Sequence, residues 1–148
     1  MKVGLPDFFH AFGANVGITT PHFEDVEVPP NTNRCIFSIN TTGSVIAGFI
    51  FIDAHAYFND DYLLVFIDDL GFELCRLYDI YYYNIRQPYV HLVYSLYYNT
   101  TAHKALFGIT PGISFKKNFG MYYYNKHTSY TRNIKSRIFY NWIKPYSV

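Results

Sequence analysis

The stretch CIFSINTTGSVIAGFIFI, residues 35–52, sets two apolar runs, Cys35–Ile39 and Val45–Ile52, on either side of Asn40, Thr41, Thr42 and Gly43. Each run is short, rich in β-branched and aromatic side chains, and bounded by turn-forming residues, as strands are. Two such runs around a compact turn signal predict a hairpin. The pattern continues downstream. Tyr62–Ile67 and Phe72–Tyr83 flank Asp68, Asp69 and Gly71 and predict a second hairpin. Tyr89–Tyr98 alternates, with Val90, Leu92, Tyr94, Leu96 and Tyr98 on one side, so one face is read as core and the other as partly wetted. Further runs at Ala105–Ile109, Phe119–Tyr124 and Thr128–Ile143 are separated by Pro111, Gly112, Asn125 and Lys126. In the last run Ile134, Ile138 and Trp142 recur every fourth residue, as on a helix. Ile134, Ser136, Ile138, Tyr140 and Trp142 also line one face of a strand, and the strand is preferred.

Upstream, Pro6–Gly13 reads as a short helical turn with Asp7 as its cap and Phe8, Phe9 and Phe12 on one side. Pro21, Pro29 and Pro30 make residues 17–33 read as an extended arm rather than a regular element. The prediction is an all-β antiparallel sandwich or jelly roll of about eight strands. A chain of 148 residues is the usual size of one domain, here a turn and arm over 1–34 and a sandwich core over 35–148.

Composition points the same way. Half the residues are hydrophobic and 16% are charged, with 16 Tyr and 14 Phe, which is far from the composition of disordered chains. Charge is unevenly spread. Residues 1–79 hold all eleven acids against Lys2, Arg34 and Arg76, whereas the remainder holds nine basic residues and no acid. Either the halves neutralise each other inside the fold, or they form surfaces that attract other copies or anionic partners.

The longest central uncharged apolar run, Gly43–Ile52, is about half of what a membrane-spanning helix needs, and no membrane partner is expected. Pro6, Asp7 and His10 interrupt any secretory leader pattern, which favours an intracellular or virion-associated location. Cys35 and Cys75 sit in apolar runs and read as buried thiols rather than a disulfide. Asn40-Thr41-Thr42 and Asn99-Thr100-Thr101 match the glycosylation pattern but read more simply as turns.

Motifs for chemistry are thin. Asp53 and His55, two apart on a strand, would share a face, yet no further His or Cys lies close in sequence to complete a metal set. No serine lies in a Gly-x-Ser-x-Gly elbow, and no glycine precedes a P-loop Lys-Ser or Lys-Thr. No catalytic residue, metal ligand or cofactor is assigned.

The unusual features are aromatic. Tyr81-Tyr82-Tyr83, Tyr97-Tyr98 and Tyr122-Tyr123-Tyr124 cannot all face inward on strands, so exposed Tyr is expected, and Tyr suits protein contacts. The expected function is a non-catalytic, self-associating structural or interaction protein, such as a viral coat, occlusion or accessory protein. Its expected interface joins Asp60, Asp61, Asp68 and Asp69 of one copy to Lys116, Lys117, Arg132, Lys135 and Arg137 of another, with Tyr81, Tyr83, Tyr97, Tyr122 and Tyr124 filling the contact. Two alternatives stand beside it. One is single-stranded nucleic-acid binding through the basic, aromatic last third. The other is a carbohydrate-binding module or small enzyme using Asp53 and His55.

Overall fold

The structure, a computed structural model, describes residues 18–143; the predicted turn at Pro6–Gly13 lies outside them. Among the described residues ten strands form two antiparallel sheets packed face to face as an all-β sandwich. They are β1 (Ile18–Val28), β2 (Asn33–Ile39), β3 (Gly43–Asp53), β4 (Tyr62–Ile67), β5 (Leu70–Arg76), β6 (Val93–Asn99), β7 (Lys104–Ile109), β8 (Ser114–Phe115), β9 (Phe119–Tyr124) and β10 (Arg132–Trp142), and the described residues also include a short helix, α1 (Leu77–Tyr82). The first sheet runs β1-β10-β3-β7-β6, with β8 paired to the Gly43 end of β3. The second runs β2-β9-β4-β5. Between them Ile36, Phe37, Leu63, Val65, Phe119 and Met121 of the second sheet meet Ile50, Ile52, Phe107, Ile134 and Ile138 of the first. No helix among the described residues is long and apolar enough to cross a membrane.

Four expectations change. Residues 35–39 and 45–52 are strands but not a hairpin: β2 pairs with β9, whereas β3 pairs with β10 and β7. Asn40–Thr42 therefore arches from one sheet to the other, held where Ile143 N–H donates to the Thr42 carbonyl at 2.9 Å and Thr42 Oγ1 to the Lys116 carbonyl at 2.6 Å. Both strands need a face in the core, and an arch gives each one its own long antiparallel partner. The arm is instead an eleven-residue strand, β1, paired with β10 along its whole length. Pro21 is tolerated because β1 is an edge strand, with only one side bonded.

The run Phe72–Tyr83 breaks after Arg76 into α1, where Leu77 and Ile80, three apart on one helical side, are buried. Regular pairing in Tyr89–Tyr98 begins only at Val93, and a bulge between Ser95 and Tyr97 shifts the alternation, so that Val93, Ser95 and Tyr98 turn inward. The second hairpin forms, with β4 as expected, but β5 begins at Leu70, takes Gly71 into the strand and ends at Arg76. Its two-residue turn, Asp68 and Asp69, has φ of 53° and 65°, both in the left-handed region that a type I′ turn requires.

Candidate interaction surfaces

Alternation of side chains makes one face of each strand core and leaves the other to water, where polar residues are normal. The outer face of the first sheet departs from this. β1 turns out Phe23 and Asp25, β10 Lys135, Arg137 and Phe139, and β3 Phe49 and Phe51. β7 and β6 add Leu106, Tyr94 and Tyr97. Phe23 is 54% exposed and meets Phe139 edge-on at 5.5 Å. The Arg137 guanidinium lies 5.2 Å from the Phe23 ring centre and 2.8 Å from an Asp25 oxygen. Tyr94 lies flat across Gly108, where any Cβ would collide with its ring. These positions set aromatic rings from β1, β10, β3 and β6, interleaved with Asp25, Lys135, Arg137 and Leu106, on one outer face.

The outer face of the second sheet is also apolar, though smaller. Leu64 and Phe66 of β4, Leu74 of β5 and Tyr122 of β9 share it, with Gly71 and Asp69 completing a shallow trough. Gly120 is required there, because a Cβ would strike both the Phe66 ring and the Phe37 carbonyl.

The residues expected to form one interface are scattered over the molecule. Tyr97 lies on the outer face of the first sheet, whereas Tyr122 and Tyr124 lie on that of the second. Tyr81 stacks on Tyr98 at 4.6 Å within a cluster that anchors α1, and only its neighbours Tyr82 and Tyr83 are strongly exposed. The Tyr98 ring also stacks on Phe58, and its hydroxyl donates to Asn59 at 2.6 Å. Burial, above all, raises the Tyr98 pKa.

The charges meet within one chain. Asp68 accepts main-chain N–H bonds from Lys116, Lys117 and Asn118 at 3.0, 2.7 and 3.2 Å. Asp69 pairs with the Lys117 ammonium, and Asp60 with Arg76 at 3.3 Å. Asp61 and Arg132 are not surface groups at all: they are 1% and 0% exposed and bonded to each other. The acidic first half and basic second half thus neutralise each other in the fold at Asp25–Arg137, Asp61–Arg132 and Asp69–Lys117. The basic residues of the last third are split in the same way, between the Asp68–Asp69 turn, the interior and two different outer faces.

This arrangement predicts acid sensitivity. The Lys117 N–H is the main reason the Asp68 carboxyl lies below its ordinary range; the Lys117 ammonium does the same for Asp69, and Arg137 for Asp25. A carboxylate with a lowered folded-state pKa stabilises the fold fully above its unfolded value, near about 3.9. That contribution is lost as pH falls through the lower folded value. The urea midpoint should hold from neutral pH to about pH 5 and drop below about pH 4, with a shallower drop in Asp68→Asn. A variant as steep as the wild type would remove Asp68 from the account.

Arg132 and Asp61 organise one end of the sandwich. Arg132 Nε donates to Asp61 at 2.9 Å, and its two terminal nitrogens donate to the carbonyls of Ala54 and Tyr57 at 2.7 and 2.6 Å. Asp61 also accepts from the Tyr123 hydroxyl at 2.5 Å and from the Lys126 N–H at 2.9 Å. Burial is the main cause of a strongly raised Tyr123 pKa, with the Asp61 charge beside it adding to the shift. Every polar group of this ion pair has a partner, so the network pins the 54–61 loop to the 125–131 loop.

Asp53 and His55 do come together, Oδ1 to Nδ1 at 3.6 Å, with His55 Nε2 3.0 Å from the Asn133 amide. Among the described residues no group of three or more His, Cys, Asp or Glu is placed to hold a metal ion. Cys35 and Cys75 lie on β2 and β5, at opposite edges of the second sheet, and are not joined. Asn99 closes its own turn, accepting from the N–H groups of Thr101 and Ala102 at 2.9 and 2.8 Å.

No protein-family model matches the chain, and no curated protein matches it. The surface residues that sequence reasoning missed are Phe23, Phe49, Phe51, Phe139 and Tyr94. A signal was present in FIFI, residues 49–52, where both alternate sets are large and apolar, so that one set had to face outward.

Proposed function

We propose that this chain is a non-catalytic interaction protein that self-associates through the outer face of its first sheet. The observation that carries the reading is the row of Phe at outward positions of β1, β10 and β3, where a sandwich normally exposes polar side chains. A second copy is the favoured partner for two reasons. A twisted sheet packs best on a sheet of matching twist, and another copy supplies one. The face is also balanced in charge, with Asp25, Glu27 and Asp53 against Lys104, Lys135 and Arg137, so it does not repel itself.

Sedimentation velocity over a wide concentration range tests this. Wild-type protein should form dimers whose affinity changes little with salt, because the contact is mainly apolar. Phe49→Glu and Phe139→Glu should each weaken the dimer by about a hundredfold or more, roughly 2.7 kcal/mol. Tyr122→Glu, on the other sheet, should leave it unchanged. A monomer at every concentration, or a dimer indifferent to both Phe variants, would overturn the proposal.

A further inference from the structure

We propose that the recess between the Asn31–Asn33 segment and Lys126, at the loop end of the second sheet, binds a saccharide ring carrying a single carboxylate. The recess has a volume of about 200 Å³ and is lined by Asn31, Thr32, Asn33, Tyr124, Asn125 and Lys126. It presents the Lys126 ammonium, the Asn31 and Asn33 amides and the Tyr124 ring with its hydroxyl, and no carboxylate, whereas the Thr32 hydroxyl is already donated to the Pro29 carbonyl at 2.7 Å. Amides recognise hydroxyls as both donors and acceptors, and an aromatic face covers the C–H face of a sugar. Lys126 supplies the charge for the carboxylate.

The walls are set before any ligand arrives. Asn31 N–H donates to the His127 carbonyl at 3.0 Å, and Asn125 N–H to the Thr32 carbonyl at 2.9 Å, which zips the two loops together. Asn125 spends its amide on structure, donating to Val28 and Tyr130 carbonyls at 3.0 and 2.8 Å and accepting from the His127 N–H at 2.9 Å. The Lys126 main chain is held by buried Asp61. Such preorganisation reduces the entropy lost on binding.

The groups facing solvent are the ones left over. Asn31 and Asn33 are exposed, and among the described residues no hydrogen bond engages their side-chain amides. The Lys126 ammonium lies 5.9 and 6.0 Å from the ring centres of Tyr62 and Tyr124, and among the described residues no carboxylate pairs with it. Asn33 and Tyr124 are direct cross-strand partners, so amide and ring stand side by side.

A single negative charge fits best. Phosphate groups are usually met by Arg forks or several main-chain N–H groups, and the recess offers one ammonium. On the other side of Lys126 a second recess contains Asp60, which disfavours further negative charge. This site lies away from the outer face of the first sheet and does not depend on self-association.

The test is a titration followed by amide NMR, with three probes: a glucuronate-containing disaccharide, its neutral glucose counterpart, and sodium sulfate. The acidic disaccharide should shift the Asn31 and Asn33 side-chain signals and the Lys126 amide saturably. Lys126→Ala should weaken it about tenfold and abolish its advantage over the neutral sugar, and Asn33→Ala should weaken both sugars. Lys126 is exposed, so an otherwise unchanged spectrum shows that the variant is folded. No saturable shift, equal binding of the neutral sugar, or the same response to sulfate alone would each overturn the proposal.

Discussion

Arg132→Met is expected to lower the unfolding free energy by about 3–5 kcal/mol, because it leaves the Asp61 carboxylate buried without its counter-charge. The double variant Asp61→Leu/Arg132→Met separates charge from wiring. Replacing a buried ion pair by apolar side chains of similar size is often neutral or stabilising. Here four further groups depend on the pair: the Ala54 and Tyr57 carbonyls, the Tyr123 hydroxyl and the Lys126 N–H. Of these the Ala54 carbonyl and the Tyr123 hydroxyl make buried bonds, and a buried polar group left unpaired costs about 1–3 kcal/mol, so the double variant should recover part of the loss and still fall below the wild type. Urea unfolding of the three proteins decides the matter. A double variant as stable as the wild type would mean that the network has no role beyond neutralising itself.

That network marks a boundary of what could be read in the chain. Charged side chains usually lie at the surface, so the sequence places Asp61 and Arg132 there, and nothing near either residue signals otherwise. They lie 71 positions apart and meet only because β10 brings Arg132 beneath the 54–61 loop. The strands best legible from local patterning were those around the Asp68–Asp69 turn and β10, whose signals are each contained within a dozen residues.

Pairing was less legible. The Asn40–Thr42 connection has the residues of a hairpin turn, and whether the chain folds back or arches across depends on β9 and β10, which arrive some 80 residues later. Pro21 hid β1 for a different reason. A proline argues against a central strand, and only the tertiary position of β1 at an edge removes the objection. The Tyr clusters are the compositional anomaly of the chain, whereas the outward-facing apolar row of the first sheet is built mainly of Phe. Phe at alternate positions is ambiguous until one knows which alternate set faces the core.

Phe119→Ala and Phe139→Ala should resolve that ambiguity by opposite effects. Phe119 is fully buried, edge-on to Phe37 at 5.4 Å and stacked on Phe115 at 5.8 Å, so its ring joins β2 of one sheet to β8 of the other. Removing it should cost about 3–5 kcal/mol through lost transfer energy and an unfilled cavity. Phe119→Leu should retain a good part of that, losing chiefly the aromatic contacts, at about 0.5–1.5 kcal/mol each. Phe139 lies on the outer face with Phe23 as its ring partner, so its truncation should cost monomer stability only about 0.5–1.5 kcal/mol while weakening self-association. Urea unfolding at low protein concentration, paired with sedimentation of the same samples, reads both effects. If Phe139→Ala destabilised the monomer as Phe119→Ala does, the outer face would already be covered within a single chain, and the surface assigned to a second copy would have no vacancy for one.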